Sequence, residues 1–154
     1  MWMPNANGRP NISVVIAEDH PSIRENLRYI VNAERDMYCV GVARTGREAL
    51  TVTTQKLPDV LILDAELADL DGMDVAIRVR RLAPHVRTIL YSGEPTIPEL
   101  ARRARLAGFV LKGAPVDELL TAVRRAAFAA LGMPSARSFN WKMRRRNVPS
   151  RRSD

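Results

Sequence analysis

The chain has 154 residues, with 24 Lys and Arg against 17 Asp and Glu, a net charge of +7 and a pI near 10.5. With 46% apolar residues it can bury a core, which excludes wholesale disorder. No apolar run approaches the roughly 20 residues of a membrane span, the polar start Met1-Trp2-Met3-Pro4 lacks the apolar stretch of a secretory signal, and the single Cys39 excludes an internal disulfide or a cysteine zinc cage, so a cytoplasmic location is expected.

Residues 1–10 read as a disordered lead, rich in Pro, Asn and Gly. Ile12-Ser13-Val14-Val15-Ile16-Ala17 is a short apolar, β-branched run that stops at Glu18-Asp19-His20-Pro21. Continuous apolar runs of this length suit parallel strands buried on both faces. Pro21 fits the first turn of a helix, and Ile23, Leu27, Ile30 and Val31 supply its apolar stripe. Met37–Ala43 reads as the second strand. Thr45-Gly46 opens a second helix over Arg47–Lys56, broken by Leu57-Pro58-Asp59. Val60-Leu61-Ile62-Leu63 is the most apolar strand and stops at Asp64. After the loop Ala65–Gly72, Val75, Val79 and Leu82 mark a third helix that ends near Pro84. Thr88-Ile89-Leu90-Tyr91 stops at Ser92-Gly93. Ile97, Leu100, Ala101 and Ala104 mark a fourth helix, and Phe109-Val110-Leu111 stops at Lys112. Leu119, Leu120, Val123, Ala127, Ala130 and Leu131 line a fifth helix, with Asp117 and Glu118 at its positive end.

Strands alternating with helices predict an α/β fold, a doubly wound five-stranded parallel sheet with helices on both faces. Ligands of such sheets bind beyond the carboxyl ends of the strands. The residues at those ends are Glu18, Asp19, Asp64, Ser92 and Lys112. Carboxylates gathered in one cleft repel each other and call for a cation. Oxygen donors of this kind suit Mg2+. With a hydroxyl and a lysine added, the set can neutralise and orient a phosphoryl group, and Asp64 can serve as its nucleophile.

The segments Val14–Pro21, Pro58–Asp64 followed by Asp71-Gly72-Met73-Asp74, Leu90–Gly93 and Gly108–Lys112 together resemble the receiver domain of two-component response regulators. The resemblance covers residues 11–131 and is nearest to receivers that carry a LuxR/NarL-type helix-turn-helix. It implies the (βα)5 flavodoxin-like fold, Mg2+ as cofactor, and a sensor histidine kinase or phosphotransfer protein as phosphoryl donor. It implies Asp64 as phosphoacceptor. Asp19 and Asp64 would be metal ligands, joined by the backbone carbonyl of Glu66 and by Glu18 through water. Ser92 would bind a phosphoryl oxygen, Lys112 would pair with Asp64 or its phosphate, and Phe109 would turn inward when Ser92 moves. The surface of the fourth helix, fifth strand and fifth helix would then bind a partner protein or a second copy. Self-catalysed phosphotransfer and dephosphorylation are the only chemistry implied, so the domain is not expected to be a turnover enzyme.

Some positions depart from the family pattern. The proline usual four residues past the phosphoacceptor is Ala68, which should loosen the loop. Glu66 adds an acid two residues past Asp64 and is expected to point into water. The stretch from Ser92 to Lys112 is short for the subfamily. His20 is expected to be structural, His85 solvated and Cys39 in the core. Asp69, Asp71 and Asp74 lack the calcium-loop pattern and are expected to cap or solvate. The charge is uneven: residues 1–132 hold 17 basic and 16 acidic side chains, while residues 133–154 hold Arg137, Lys142, Arg144, Arg145, Arg146, Arg151 and Arg152 against Asp154. Residues 132–154 are therefore expected to be a basic, disordered tail, too short for a domain, which usually needs at least about 40 residues. Through residues 137–152 it would add at most weak, non-specific, salt-sensitive affinity for nucleic acid. A DNA-associated regulator using that tail is the alternative function. An aspartyl-phosphate phosphatase of the same fold class is a third: Glu66 occupies the place of its second acid, but is longer than the usual Asp, and no cap domain is expected here to enclose a substrate.

Overall fold

The computed structural model describes Gly8, residues 11–95, Arg102 and residues 104–130. Apart from Gly8 and residues 102 and 104, the expected lead, the expected fourth helix over Ile97–Ala104 and the basic tail lie outside the described residues. The elements run β1 (Ile12–Ala17), α1 (Pro21–Ala33), β2 (Met37–Ala43), α2 (Gly46–Lys56), β3 (Val60–Asp64), α3 (Gly72–Leu82), β4 (Arg87–Ser92), β5 (Gly108–Leu111) and α4 (Val116–Ala130). The last of these is the helix expected fifth from the sequence.

All strands pair in parallel in the order β2-β1-β3-β4-β5. One face of the sheet, with Ile12, Val14, Ile16, Ile62, Ile89 and Val110, packs on Leu27 and Val31 of α1 and on Leu119, Leu120 and Val123 of α4. The opposite face, with Val15, Ala17, Leu61, Leu63 and Leu90, packs on Ala49 of α2 and on Val75, Ala76 and Val79 of α3. Because both faces are covered, β3 is buried at every residue, and its sequence is apolar without alternation until Asp64.

β2 departs from that pattern because only β1 pairs with it. Most of its residues are half-buried and Tyr38 is exposed. Cys39, expected in the core, is half-buried on this edge. Val14 pairs with Cys39 and Val15 with Gly41, so the register slips at Val40, a bulge of the kind that blunts an edge strand. Asn32 also accepts the Cys39 N–H through its Oδ1 at 2.8 Å.

Helix starts follow local chemistry. Pro21 sits in the first turn of α1. The Thr45 side chain accepts the Glu48 N–H at 3.1 Å and the Asp71 Oδ1 accepts the Met73 N–H at 2.7 Å. Asp117 and Glu118 fill the first turn of α4. In the sheet, β1 leads outward to β2 and β3 lies on its other side, so the strand order reverses between β1 and β3. The crevice beyond their carboxyl ends is where such sheets bind ligands, and it is where the apolar runs of β1 and β3 give way to acids.

Candidate functional site

Glu18 and Asp19 follow β1, Asp64 ends β3, Ser92 ends β4 and Lys112 follows β5. The sheet brings all of them to one edge. Glu18 and Asp64 are each 1% exposed, and Ser92 is fully buried. Asp19 stands at the open side. Lys112 spans the acids: its Nζ lies 3.1 Å from Glu18 Oε2 and 3.1 Å from Asp64 Oδ1. Its backbone N–H is held by the Ser92 carbonyl at 2.7 Å.

The electrostatics follow from this packing. Burial, then the nearby Asp64 charge, raise the Glu18 pKa from 4.5 to about 7 against the pull of Lys112. Burial works against the Lys112 ammonium, but Asp64 and Glu18 together outweigh it and its pKa rises. The two buried acids therefore lack enough positive charge, and Glu18 Oε2 accepts no hydrogen bond despite its ion pair. Carboxylate oxygens of Glu18, Asp19 and Asp64 all lie within 4.8 Å of one another. This oxygen-rich, charge-deficient cluster fits a hard divalent ion such as Mg2+.

The loop after β3 keeps close to Asp64. The Glu66 N–H donates to Asp64 Oδ1 at 2.9 Å, while the Glu66 side chain is exposed, as expected from the sequence. Glu66 pairs with Asp71 in an antiparallel bridge, and the Gly72 N–H donates to the Ala65 carbonyl at 3.1 Å. A Cβ on Gly72 would lie 2.6 Å from the Asp64 carbonyl oxygen, so this closure requires glycine. The Ser92 hydroxyl accepts the Glu94 N–H at 2.9 Å. Phe109 pairs with Leu90 and is half-buried against the α2–α3 face. His20 is exposed and its ring Nδ1 is paired with the Ser22 hydroxyl at 2.9 Å. His85 is exposed.

Two side chains near the site, Arg24 and Tyr91, escape a reading of the sequence alone, as does the distant partner of a third, Asp69. Arg24 is buried, and its guanidinium donates to the carbonyls of Glu18 at 2.9 Å and Asp19 at 3.4 Å, shaping the acidic turn. Its signal is a cation in line with the buried stripe Leu27 and Val31. The Tyr91 ring lies 5.6 Å from the Lys112 ammonium, and burial first, then Glu18 and Asp64 against Lys112, raise its phenol pKa. Asp69 accepts the backbone N–H groups of Gly46 at 2.6 Å and Arg47 at 3.1 Å, which hold its carboxyl below the usual range. Asp69 and Asp71 are thus engaged as helix caps, as expected for this acidic stretch. Residues 137–152, expected to touch nucleic acid weakly at most, lie outside the described residues. Among the described residues, no helix is long and apolar enough to cross a membrane.

Comparison with known proteins agrees with this geometry. The family model of the response regulator receiver domain matches residues 14–124. NarL of Mycobacterium tuberculosis is 35% identical over 121 residues, covering 77% of this chain and 56% of that protein. The transcriptional regulatory protein DesR of Bacillus subtilis is 31% identical over 113 residues, covering 73% and 57%. The chain thus spans a little over half the length of these relatives. The response regulator domain of Thermotoga maritima CheB superposes with a TM-score of 0.71 at 28% identity, covering 76% of this chain and 96% of that one. The signal receiver domain of Mycobacterium tuberculosis NarL gives 0.67 at 33% identity, covering 79% and 98%. A parallel (βα) sheet, an acidic crevice at its reversal point and a family match over most of its length make this chain a member of the response regulator receiver domain family, the phosphoacceptor module of two-component signalling.

Proposed function

We propose that Asp64 accepts a phosphoryl group from the phosphohistidine of a sensor histidine kinase or phosphotransfer protein. The observation that carries this is the Lys112 bridge between Asp64 and Glu18, beside carboxylates within 4.8 Å of one another. The Glu66 N–H and the Lys112 ammonium both engage Asp64 Oδ1, which orients the carboxylate so that Oδ2 attacks phosphorus. The phosphorus–nitrogen bond to the donor imidazole breaks, the imidazole leaves with a proton from solvent, and an acyl phosphate remains on Asp64. Asp19, Asp64 and the Glu66 carbonyl would hold Mg2+, with Glu18 acting through water. Bound there, Mg2+ supplies positive charge to the phosphoryl oxygens.

Lys112 then shifts its ion pair from the carboxylate to the phosphoryl group. The Ser92 hydroxyl exchanges the Glu94 N–H for a phosphoryl oxygen, and Phe109 turns into the space that this movement opens. Burial of Ser92 and the half-burial of Phe109 support such a coupled shift. The surface around β5 and α4 changes with Phe109 and binds a partner protein or a second copy.

Labelling with acetyl phosphate in Mg2+, read by intact mass, tests the assignment. The parent gains one phosphoryl group and Asp64→Ala gains none. Undiminished labelling of Asp64→Ala would sink it.

A further inference from the structure

The loop between β3 and α3, Ala65–Asp71, contains no proline, so no fixed φ stiffens it. The structure nevertheless ties this loop down at both ends. At its base, Glu66 pairs with Asp71 and Gly72 closes on Ala65. At its tip, Asp69 reaches a different element: Oδ1 accepts the Gly46 N–H at 2.6 Å and Oδ2 the Arg47 N–H at 3.1 Å. Leu70 seats beside this contact so closely that a Cβ on Gly46 would fall 2.7 Å from the Leu70 Cβ. Glu66 is the point where this base meets the site, with its N–H on Asp64 Oδ1 at 2.9 Å.

We infer that Asp69 is a positioning residue for the phosphoacceptor site: its clamp on the start of α2 stiffens the loop and holds the Glu66 backbone against Asp64. The inference rests on the reading of Asp64 and the Glu66 carbonyl given above. A carboxylate bridging two N–H groups at a helix start makes charge-assisted hydrogen bonds that complement the helix dipole. Losing it loosens the loop tip, which is then held by the seats of Leu67 and Leu70 in the core and by the pairing at the base. Glu66 then samples positions in which its N–H leaves Asp64 and its carbonyl leaves the metal position. The effect is geometric, because the exposed Asp69 charge is screened by water and salt.

The test uses the full chain in four forms: parent, Asp69→Ala, Asp69→Asn, and Asp69→Ala combined with Ala68→Pro. Calorimetric titration with Mg2+ alone gives the affinity, and amide hydrogen exchange in EDTA reports the Glu66 N–H. Asp69→Ala weakens Mg2+ binding about tenfold, as expected for an outer-shell support, and speeds exchange at Glu66 as well as at Gly46. Asp69→Asn keeps an acceptor oxygen and retains most of the affinity without the charge. Ala68→Pro restores affinity and Glu66 protection in the Ala background. Unchanged Mg2+ affinity and unchanged Glu66 exchange in Asp69→Ala would overturn the inference. So would an Asn variant as weak as Ala with no rescue by proline, since that pattern belongs to charge. A parent that fails to label on Asp64 would overturn the phosphoacceptor reading instead, while the exchange result still decides the clamp.

Discussion

At the scale of single residues, Glu18 stands out because it is buried beside another acid with one shared cation. Its pKa of about 7, against 4.5 ordinarily, has a consequence for stability in the absence of metal. A raised folded-state pKa means that the fold favours the protonated form. The associated stability is complete below about pH 4.5 and is lost as pH rises through about 7. Glu18→Gln is neutral at every pH and escapes this loss. In EDTA the two proteins should have similar urea midpoints at pH 4.5. By pH 8 the variant should be the more stable, by about 2–3 kcal/mol from the size of the shift. Addition of Mg2+ should reverse the order, since the ion needs the charge that Gln lacks. A parent as stable as Glu18→Gln at pH 8 in EDTA would show that Lys112 alone balances both acids.

At the scale of elements, Arg124 fastens α4 to the turn before β2. Arg124 places Nε 2.7 Å and one terminal nitrogen 2.9 Å from the two Asp36 oxygens, and the same nitrogen 2.7 Å from Glu34 Oε2. These groups are about one-third exposed or less, so water discounts the attraction. The two-pronged geometry makes the contact stronger than a simple surface pair. Arg124→Met, which keeps the packing of the stem, should lose about 1–2 kcal/mol in urea unfolding. Arg124→Lys should recover little of it, because an ammonium cannot reproduce the fork. A Met variant with the parent's midpoint would mean that the ions are equally well served by water. Elements were legible in the sequence where a rule is local. The runs Ile12–Ala17 and Met37–Ala43 are strands at their expected bounds, and Pro21 and Thr45 open helices as their chemistry dictates. Contacts such as Arg124 with Asp36, 88 residues apart, leave no trace in local pattern. Neither does Asp69 on Gly46, since an acid in a polar loop looks the same whether it caps a distant helix or faces water.

At the scale of the whole molecule, the net charge of +7 conceals the chemistry. Residues 1–132 are nearly balanced, with 17 basic and 16 acidic side chains, yet three of the acids, Glu18, Asp19 and Asp64, meet at the sheet edge. That edge was legible because strands ending in Glu18-Asp19, Asp64, Ser92 and Lys112 can meet only there in a parallel sheet. The half-exposure of β2 and Cys39 was not, because strand order decides which apolar run becomes an edge. Joining carboxylates from β1 and β3 makes metal binding a property of the folded state. The unfolded chain holds Asp19 and Asp64 far apart and has no such site. Mg2+ at 100 times its dissociation constant should therefore stabilise the parent by about 2.7 kcal/mol, read as a rise in melting temperature that grows with the logarithm of concentration. Asp19→Asn should lose most of that rise. Arg124→Met should melt lower but keep it, because Asp36 lies at the amino ends of the parallel strands and Asp64 at their carboxyl ends. If Asp19→Asn and the parent respond to Mg2+ alike, the ion is acting elsewhere and the acidic crevice is not its site.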